Sequence, residues 1–315
     1  MMEDKNLKPL VSFCILTYNQ PNYIGDAITG ALSQTYSPLE IIISDDCSTD
    51  NTFDIVTNFV KDYNGPHTIV LNRNENNLGI AKHCNKVLYE LANGEILLLA
   101  GGDDVSLPER TEVSVNTFMK NSNIMSLSFD SKQVDEDLKP LEENIEYNGL
   151  TSILNLQDYL LFGDWYIFGG ESRAIRREVV KKFPPLSLVN AEDIFIFIRS
   201  LMLGEIAFIR KPLVLRRIHK KNESNKAATE KSLQAFLKQT ALDISYAYQN
   251  SYISEKDKIK LQQKTQKVAR LFLSRFGEPV SKKNPVLTFL KLIKRNIHTL
   301  LELLLKRFKW QKIRL

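Results

Sequence analysis

The feature that most limits what this chain can fold into is a switch of hydrophobic period that repeats along its first hundred residues. Leu10–Leu16 (LVSFCIL) reads as a buried strand, and Ile24, Ala27, Ile28, Ala31 and Leu32 then recur at helical spacing. Leu39–Ser44 (LEIIIS) precedes Ile55, Val56, Phe59 and Val60. His67–Leu71 precedes Ile80, Cys84, Val87, Leu88 and Leu91, with Asn93 and Gly94 as the expected helix stop. Glu95–Ala100 (EILLLA) supplies a fourth strand. Strand and helix alternating at this spacing imply right-handed crossovers, hence an α/β fold: a mostly parallel sheet flanked by helices on both faces.

In such sheets ligands bind beyond the carboxyl ends of the strands. Those ends carry Thr17, Tyr18 and Asn19; Asp45, Asp46, Cys47 and Ser48; Asn72, Arg73 and Asn74; and Gly101, Gly102, Asp103 and Asp104. Adjacent carboxylates beside a core strand repel each other and lose hydration, so each pair needs compensation. A capping or turn role is the usual explanation for one such pair. Two pairs at equivalent strand ends, with an aromatic side chain at a third, point instead to a ligand. A carboxylate can accept the imide N–H of a uracil or thymine ring stacked on a tyrosine, while a second carboxylate holds Mg²⁺ or Mn²⁺ against a diphosphate. The chemistry that uses both is departure of a nucleoside diphosphate from a sugar. No Gly-x-Gly-x-x-Gly follows the first strand and no Gly-Lys-Ser/Thr loop occurs, so dinucleotide and P-loop readings lose their main support.

The second half is less regular. Further strands are expected near Ile124–Phe129 and over Glu205–Arg217, and Glu192 and Asp193 precede an apolar helix. Beyond Ser224 the sequence becomes Lys-rich and helical, which sets the expected boundary between a domain at 1–225 and a basic helical extension at 226–315. With 43% hydrophobic and 25% charged residues in 315, the chain reads as an ordinary globular protein. Cys14, Cys47 and Cys84 fit neither a disulfide framework nor a zinc site. Acids near the N-terminus and only a short apolar run there give no secretory signal, so a cytoplasmic location is expected.

The net charge of +5 is unevenly spread. From Lys282 onward ten Lys/Arg face the single acid Glu302, leaving 32 bases against 36 acids in the rest. Leu290, Ile293, Ile297, Leu300, Leu301 and Leu304 line one face of that segment, an amphipathic pattern too interrupted by charge to span a bilayer. Residues 282–315 are therefore expected to lie on an anionic membrane surface, or to pack on the core or on a second subunit as in a homodimer. Nucleic acid is not an expected partner, because no recognised nucleic-acid motif accompanies the charge.

The series Val11–Asn19, Ala31–Asp50, Asn76–Gly79, Ala92–Glu95, Gly102–Asp104, Ala191–Asp193 and Arg217–Ser224 resembles the family 2 glycosyltransferases of the GT-A fold, of the bacterial polysaccharide or O-antigen type, over about residues 10–225. The resemblance implies nucleotide contacts at Thr17, Tyr18, Asn19, Asp45, Asp46, Asn77 and Asp103, with Asp46 reading the base. It implies Mn²⁺ or Mg²⁺ held by Asp104 and Asp103 with His219, and Asp193 as the general base beside Glu192. Direct displacement by an acceptor hydroxyl then inverts the anomeric centre. A nucleotide-sugar donor of the UDP-sugar class and a saccharide or undecaprenyl-linked acceptor are the implied partners. Trp165 and Tyr166, with Gly170, lie where rings could stack on an acceptor sugar; core packing is the alternative. The chain departs from the family pattern at Gly101, where a further carboxylate is common, and at Cys47, where Gly or Asn is common. Arg217 or Lys221 is a candidate for neutralising phosphate charge. The rival readings are a nucleotidyltransferase, disfavoured by the lack of a Gly-rich basic loop after the first strand, and a non-catalytic sugar-nucleotide or membrane-binding module.

Overall fold

The structure is a computed structural model and describes residues 8–141, 151–162, 172–187, 192–220 and 230–276. The first half runs β1 (Val11–Thr17), α1 (Ile24–Leu32), β2 (Leu39–Asp45), α2 (Thr52–Val60), β3 (Thr68–Arg73), α3 (Ile80–Asn85, continued by a π-helical turn over Lys86–Leu91) and β4 (Ile96–Gly101). It then continues through β5 (Val105–Ser106), α4 (Arg110–Lys120), β6 (Ile124–Val134), β7 (Thr151–Leu154), α5 (Leu156–Phe162), β8 (Ala174–Arg176), α6 (Arg177–Lys182), α7 (Glu192–Leu203), β9 (Glu205–Arg217), α8 (Glu230–Gln249) and α9 (Glu255–Phe276).

The described strands form one sheet in the order β3-β2-β1-β4-β8-β6-β9-β5, with β7 paired to β9. The strands β3, β2, β1 and β4 are parallel to their neighbours, as the repeated crossovers require. Beyond β4 the pairing is mixed: β8 is antiparallel to both β4 and β6, and β6 is parallel to β9. The chain winds outward from β1 through β2 to β3 and then returns to the other side of β1 as β4. That reversal opens a crevice between the carboxyl ends of β1 and β4.

Side chains alternate between two cores. Phe13 and Ile15 of β1, Ile41 and Ile43 of β2 and Leu98 of β4 pack with Ile24, Ala27, Ile28 and Ala31 of α1. The intervening Cys14, Ile42, Leu97 and Leu99 face the other way, onto Cys84, Val87, Leu88 and Ile196. Strands buried on both faces are apolar at most positions, and two polar exceptions within them, Ser12 and Glu40, are hydrogen-bonded to each other. All three cysteines are free thiols.

The expected stop at Asn93-Gly94 works differently from a left-handed cap. The helix ends at Leu91, and Glu40 Oε1 receives Asn93 N at 2.6 Å and Gly94 N at 3.3 Å. A Cβ at residue 94 would stand 2.4 Å from Ser12 N, so glycine is required there by the close passage of two backbones.

The helices α8 and α9 share a hydrophobic cluster with α7 and β9: Ile244, Ala247, Ile253 and Leu261 meet Phe183, Phe197, Ile198, Leu201 and Ile206. Buried at the junction, Asp243 of α8 accepts two hydrogen bonds from Arg199 of α7, at 2.8 and 2.7 Å. The expected boundary at 225/226, Lys221 and the basic segment 282–315 all lie outside the described residues. Among the described residues no helix is long and apolar enough to cross a membrane.

Candidate active site

At the β1 end, Thr17 is buried and donates its hydroxyl to Gln20 Oε1 at 2.9 Å, whereas the Tyr18 side chain is 42% exposed over the crevice mouth. Asn19 has φ 52°, a left-handed conformation that asparagine tolerates. It ties this turn to the next loop: its N–H donates to Ser48 Oγ, and its Oδ1 accepts from Thr49 N, both at 2.9 Å.

The neighbouring aspartates of β2, equivalent in sequence, have different surroundings. Asp45 is fully buried, accepts from Ser48 N at 2.8 Å and from the Ser48 hydroxyl, and lies 3.6 Å from Arg73 Nε. Its oxygens hold the turn that follows β2. Asp46 Oδ1 accepts from Asn74 Nδ2 at 2.8 Å and Leu78 N at 2.9 Å, and Oδ2 from Gly79 N at 2.9 Å. A carboxylate has about four lone-pair positions, so Asp46 retains capacity for one further N–H. Two successive backbone N–H groups thus face Asp46, and Gly79, at φ 75° and ψ 157° in a region open essentially to glycine alone, turns the chain from this bend into α3. Asn77 Oδ1 supports the bend by accepting from Gly79 N at 3.1 Å. Cys47, at φ 60°, occupies a left-handed position without being Gly or Asn.

The β4 end approaches β1 closely. Gly102 N donates to Leu16 O at 3.0 Å, and a Cβ there would lie 2.6 Å from Thr17 Oγ1. Asp103 and Asp104 are held from the far end of the chain. Asp104 Oδ1 accepts from Arg217 N at 2.9 Å, Arg217 Nε donates to the Asp103 carbonyl at 3.0 Å, and His219 Nε2 lies 3.0 Å from Asp103 Oδ2. The buried Arg217 guanidinium also binds Asp26 Oδ2 of α1 at 2.7 Å and the Glu136 carbonyl. It is thus committed to bracing the loop rather than directed at a phosphate, which corrects the expectation placed on it. Tyr23 fills the space between, its ring 4.9 Å from the Arg217 guanidinium and 4.7 Å from the His219 ring.

Gly101 has a steric explanation. A Cβ at this residue would stand 2.7 Å from Asp103 Oδ1 and 3.8 Å from Asp104 Oδ2. Both carboxylates therefore turn towards the hollow left by the missing side chain. Two carboxylates are hard oxygen donors that suit Mg²⁺ or Mn²⁺, and the imidazole nitrogen is a borderline donor better matched to Mn²⁺ than to Mg²⁺. Among the described residues no group of three His, Cys, Asp or Glu side chains is gathered tightly enough to hold an ion unaided. These features fit a cation that takes one or two carboxylates and completes its shell with phosphate oxygens and water.

Glu192 and Asp193 open α7. Asp193 Oδ1 accepts from Ile194 N at 2.8 Å, where a helix N-terminus favours negative charge. Burial, reinforced by the Asp193 charge and opposed by the nearby Arg173, pushes the Glu192 carboxyl up to about 7. Arg173 fixes where this pair lies, because its carbonyl accepts from Leu99 N of β4 at 2.9 Å, two residues before Gly101. The α7 carboxylates therefore sit at the same end of the sheet as Asp103 and Asp104. Trp165, Tyr166 and Gly170 lie outside the described residues. Sequence reading missed Asp26, Tyr23, Glu136 and Arg173, whose partners at the site lie far away in the chain.

A parallel half-sheet with a reversal at β1/β4, and acidic loops gathered over that reversal, defines a glycosyltransferase of the GT-A class. The glycosyl transferase family 2 model matches residues 12–183, and the chain belongs to that family. It is 27% identical over 248 residues to an uncharacterized glycosyltransferase of Nostoc sp., covering 77% of this chain and 75% of the relative. It is 35% identical over 140 residues to the putative teichuronic acid biosynthesis glycosyltransferase TuaG of Bacillus subtilis, covering 44% of this chain and 54% of the relative. Among solved structures, S. aureus TarS in complex with UDP-GlcNAc aligns with TM-score 0.63 at 19% identity, over 82% of this chain and 72% of that one. The mannosyltransferase PcManGT of Pyrobaculum calidifontis, in complex with GDP-Man and Mn²⁺, aligns with TM-score 0.53 at 16% identity, over 96% of this chain and 82% of that one. At these identities the two structures establish the fold.

Proposed function

We propose that the protein transfers a sugar from a nucleoside-diphosphate donor, a UDP-sugar, to a saccharide or lipid-linked saccharide in the assembly of a cell-surface polysaccharide, with inversion at the anomeric carbon. The observation that carries the reading is the turning of Asp103 and Asp104 towards the Gly101 hollow at the sheet reversal, on the same sheet end as Asp46, Tyr18 and the α7 carboxylates. The teichuronic acid relative supports the polysaccharide setting, and the UDP-GlcNAc complex of a neighbour with the same fold supports the donor class.

In this reading Tyr18 stacks on the base and the remaining capacity of Asp46 accepts its imide N–H. Asp103 and Asp104, with His219, would hold Mn²⁺ or Mg²⁺, which supplies neutralisation of the diphosphate charge as that group leaves. Asp193 takes the proton of the acceptor hydroxyl while the hydroxyl oxygen bonds to the anomeric carbon from the face opposite the departing diphosphate. The proton ends on Asp193 and the bond to the diphosphate oxygen breaks. Glu192, poised near neutrality, moderates the negative charge beside that base. Trp165 and Tyr166, near Gly170, are proposed to cover the acceptor sugar, and segment 282–315 to rest on an anionic leaflet where a lipid-linked acceptor resides.

Incubation with UDP-sugars and Mn²⁺ should give slow UDP release by hydrolysis, and faster release once an acceptor is supplied. Asp104→Ala and Asp193→Ala should each lower transfer by at least about a thousandfold. Only Asp104→Ala should weaken metal-dependent nucleotide binding. Equal loss of nucleotide binding in both variants would sink this division of roles, and absence of binding to UDP, TDP and GDP sugars alike would sink the donor reading.

A further inference from the structure

Behind the crevice a buried line of polar side chains leads to Asp46 from a histidine that no proposed step uses. His83, in α3, is 2% exposed, and its Nε2 lies 2.7 Å from Ser44 Oγ. Asn72 Nδ2 donates to that same Ser44 oxygen at 2.8 Å and to Asn74 Oδ1 at 3.0 Å. Asn74 Nδ2 in turn donates to Asp46 Oδ1 at 2.8 Å.

The direction of each link follows from the one before it. Ser44 accepts an N–H from Asn72 and has one hydroxyl proton of its own, which reaches His83 Nε2 in the tautomer that leaves a lone pair on that nitrogen. With the Ser44 proton on that side, the oxygen offers Asn72 a lone pair, and Asn72 meets it with an amide N–H. Asn74 must then meet it with its carbonyl oxygen, and its amide N–H₂ is left facing Asp46. If the Ser44 proton turned to Asn72 instead, both amides would flip and Asn74 would set an oxygen against the Asp46 carboxylate. Burial, with Lys86 acting in the same direction, holds His83 below the ordinary histidine range against the pull of Asp46 and Asp45, which favours the neutral imidazole that this arrangement uses.

We propose that His83 is a positioning residue for donor recognition: as the terminal acceptor of the line His83–Ser44–Asn72–Asn74–Asp46, it fixes both amides so that the Asp46 carboxylate is held in the orientation that reads the base. The inference rests on the assignment of base reading to Asp46 and adds a residue remote from the ligand.

The test is binding of UDP, and separately of inorganic pyrophosphate, to the full chain in Mn²⁺, together with steady-state constants for the UDP-sugar. His83→Leu should weaken UDP binding and raise the donor KM by about tenfold, the equivalent of one lost hydrogen bond, with kcat within about twofold of wild type. Pyrophosphate affinity should not change, because that ligand has no base. His83→Gln, which returns an acceptor at similar reach, should restore most of the loss. Ser44→Ala, a smaller change that cuts the line one step on, should reproduce the His83→Leu pattern and decides the matter if His83→Leu does not fold. Wild-type UDP affinity in His83→Leu and Ser44→Ala overturns the proposal, as does equal loss of UDP and pyrophosphate, or a His83→Gln no better than His83→Leu. Asp46→Ala separates the two levels. Unchanged UDP binding in that variant removes the base-reading assignment itself, whereas loss there with none in His83→Leu removes only the role of His83.

Discussion

Replacing Asp243 by alanine removes the carboxylate that fastens α8 to the helix bearing Glu192 and Asp193. In the native protein the Arg199 and Asp243 side chains are 4% and 1% exposed and joined by bonds of 2.7 and 2.8 Å, with Gln239 Nε2 donating to the same carboxylate at 3.0 Å. The substitution leaves the guanidinium with only the Tyr89 hydroxyl at 3.3 Å and the face of Phe183 at 5.0 Å among these partners. A buried cation stripped of its counter-ion costs about 3–5 kcal/mol. At roughly 2 °C per kcal/mol for a chain of this size, the melting temperature should fall by about 6–10 °C. Replacing both partners by apolar residues, Arg199→Met with Asp243→Leu, should recover most of that loss, because the penalty belongs to the unpaired charge and not to the missing pair. The exposed pair Lys182–Glu178 serves as the control: it has a 2.7 Å contact but side chains 40% and 44% exposed, so Glu178→Gln should cost under about 1 kcal/mol. Urea unfolding followed by far-ultraviolet circular dichroism measures all three. An Asp243→Ala cost no larger than that of Glu178→Gln would refute the reasoning and with it the docking of α8 through this pair.

Other outcomes follow from the same geometry. The Glu192 carboxyl titrates at about 7 in the folded chain against an ordinary 4.5. Below about pH 4.5 folded and unfolded chains both keep the proton; between there and about 7 only the unfolded chain loses it, so native stability falls as pH rises and the full penalty is present above about 7. The shift caps that penalty near 3 kcal/mol, and the surface Glu192 retains reduces it to about 1–2 kcal/mol. Glu192→Gln should therefore gain on wild type between pH 5 and 8 in urea midpoints, and parallel curves would count against the shift. At the bend facing Asp46, Gly79→Ala should destabilise by about 1–3 kcal/mol, whereas Cys47→Gly should be neutral or stabilising by up to about 1 kcal/mol. A stable Gly79→Ala protein with unaltered UDP affinity would show that the φ of 75° is not needed there.

Where the sequence was legible, burial made it so. The strands β1 to β4 begin and end within about two residues of the apolar runs that announced them; for β1, β2 and β4 this follows from cover on both sides, whereas β3 is a half-exposed edge strand. The strand β8 was invisible: Ala174–Arg176 is three residues long, has no period to read, and is held in place by β4 and β6 on either side. Its neighbour Arg173, like Arg110 and Arg217, is entirely buried, and a sequence reader places arginine on the surface by default. At the site, the acidic strand ends could be found, but the different environments of Asp45 and Asp46 could not. One faces the Ser48 turn three residues on and Arg73 28 positions away, the other the Asn74–Gly79 loop 28 to 33 positions away. Gly101 looked like a missing ligand, whereas in space it is the room that Asp103 occupies.

The brace supplied by Arg217 has a consequence for how the protein is made. Its backbone N–H reaches Asp104 across 113 residues and His219 reaches Asp103 across 116, and both lie beyond the part of the chain that matches the family model. During synthesis β1, β2, β3 and β4 can pair as soon as β4 emerges, through crossovers only a few tens of residues long. The aspartate pair stays unclamped until the last strand of the sheet has been translated and has closed a loop several times longer. The β1–β4 half is thus able to form early, and the clamp on Asp103 and Asp104 closes only with the arrival of β9.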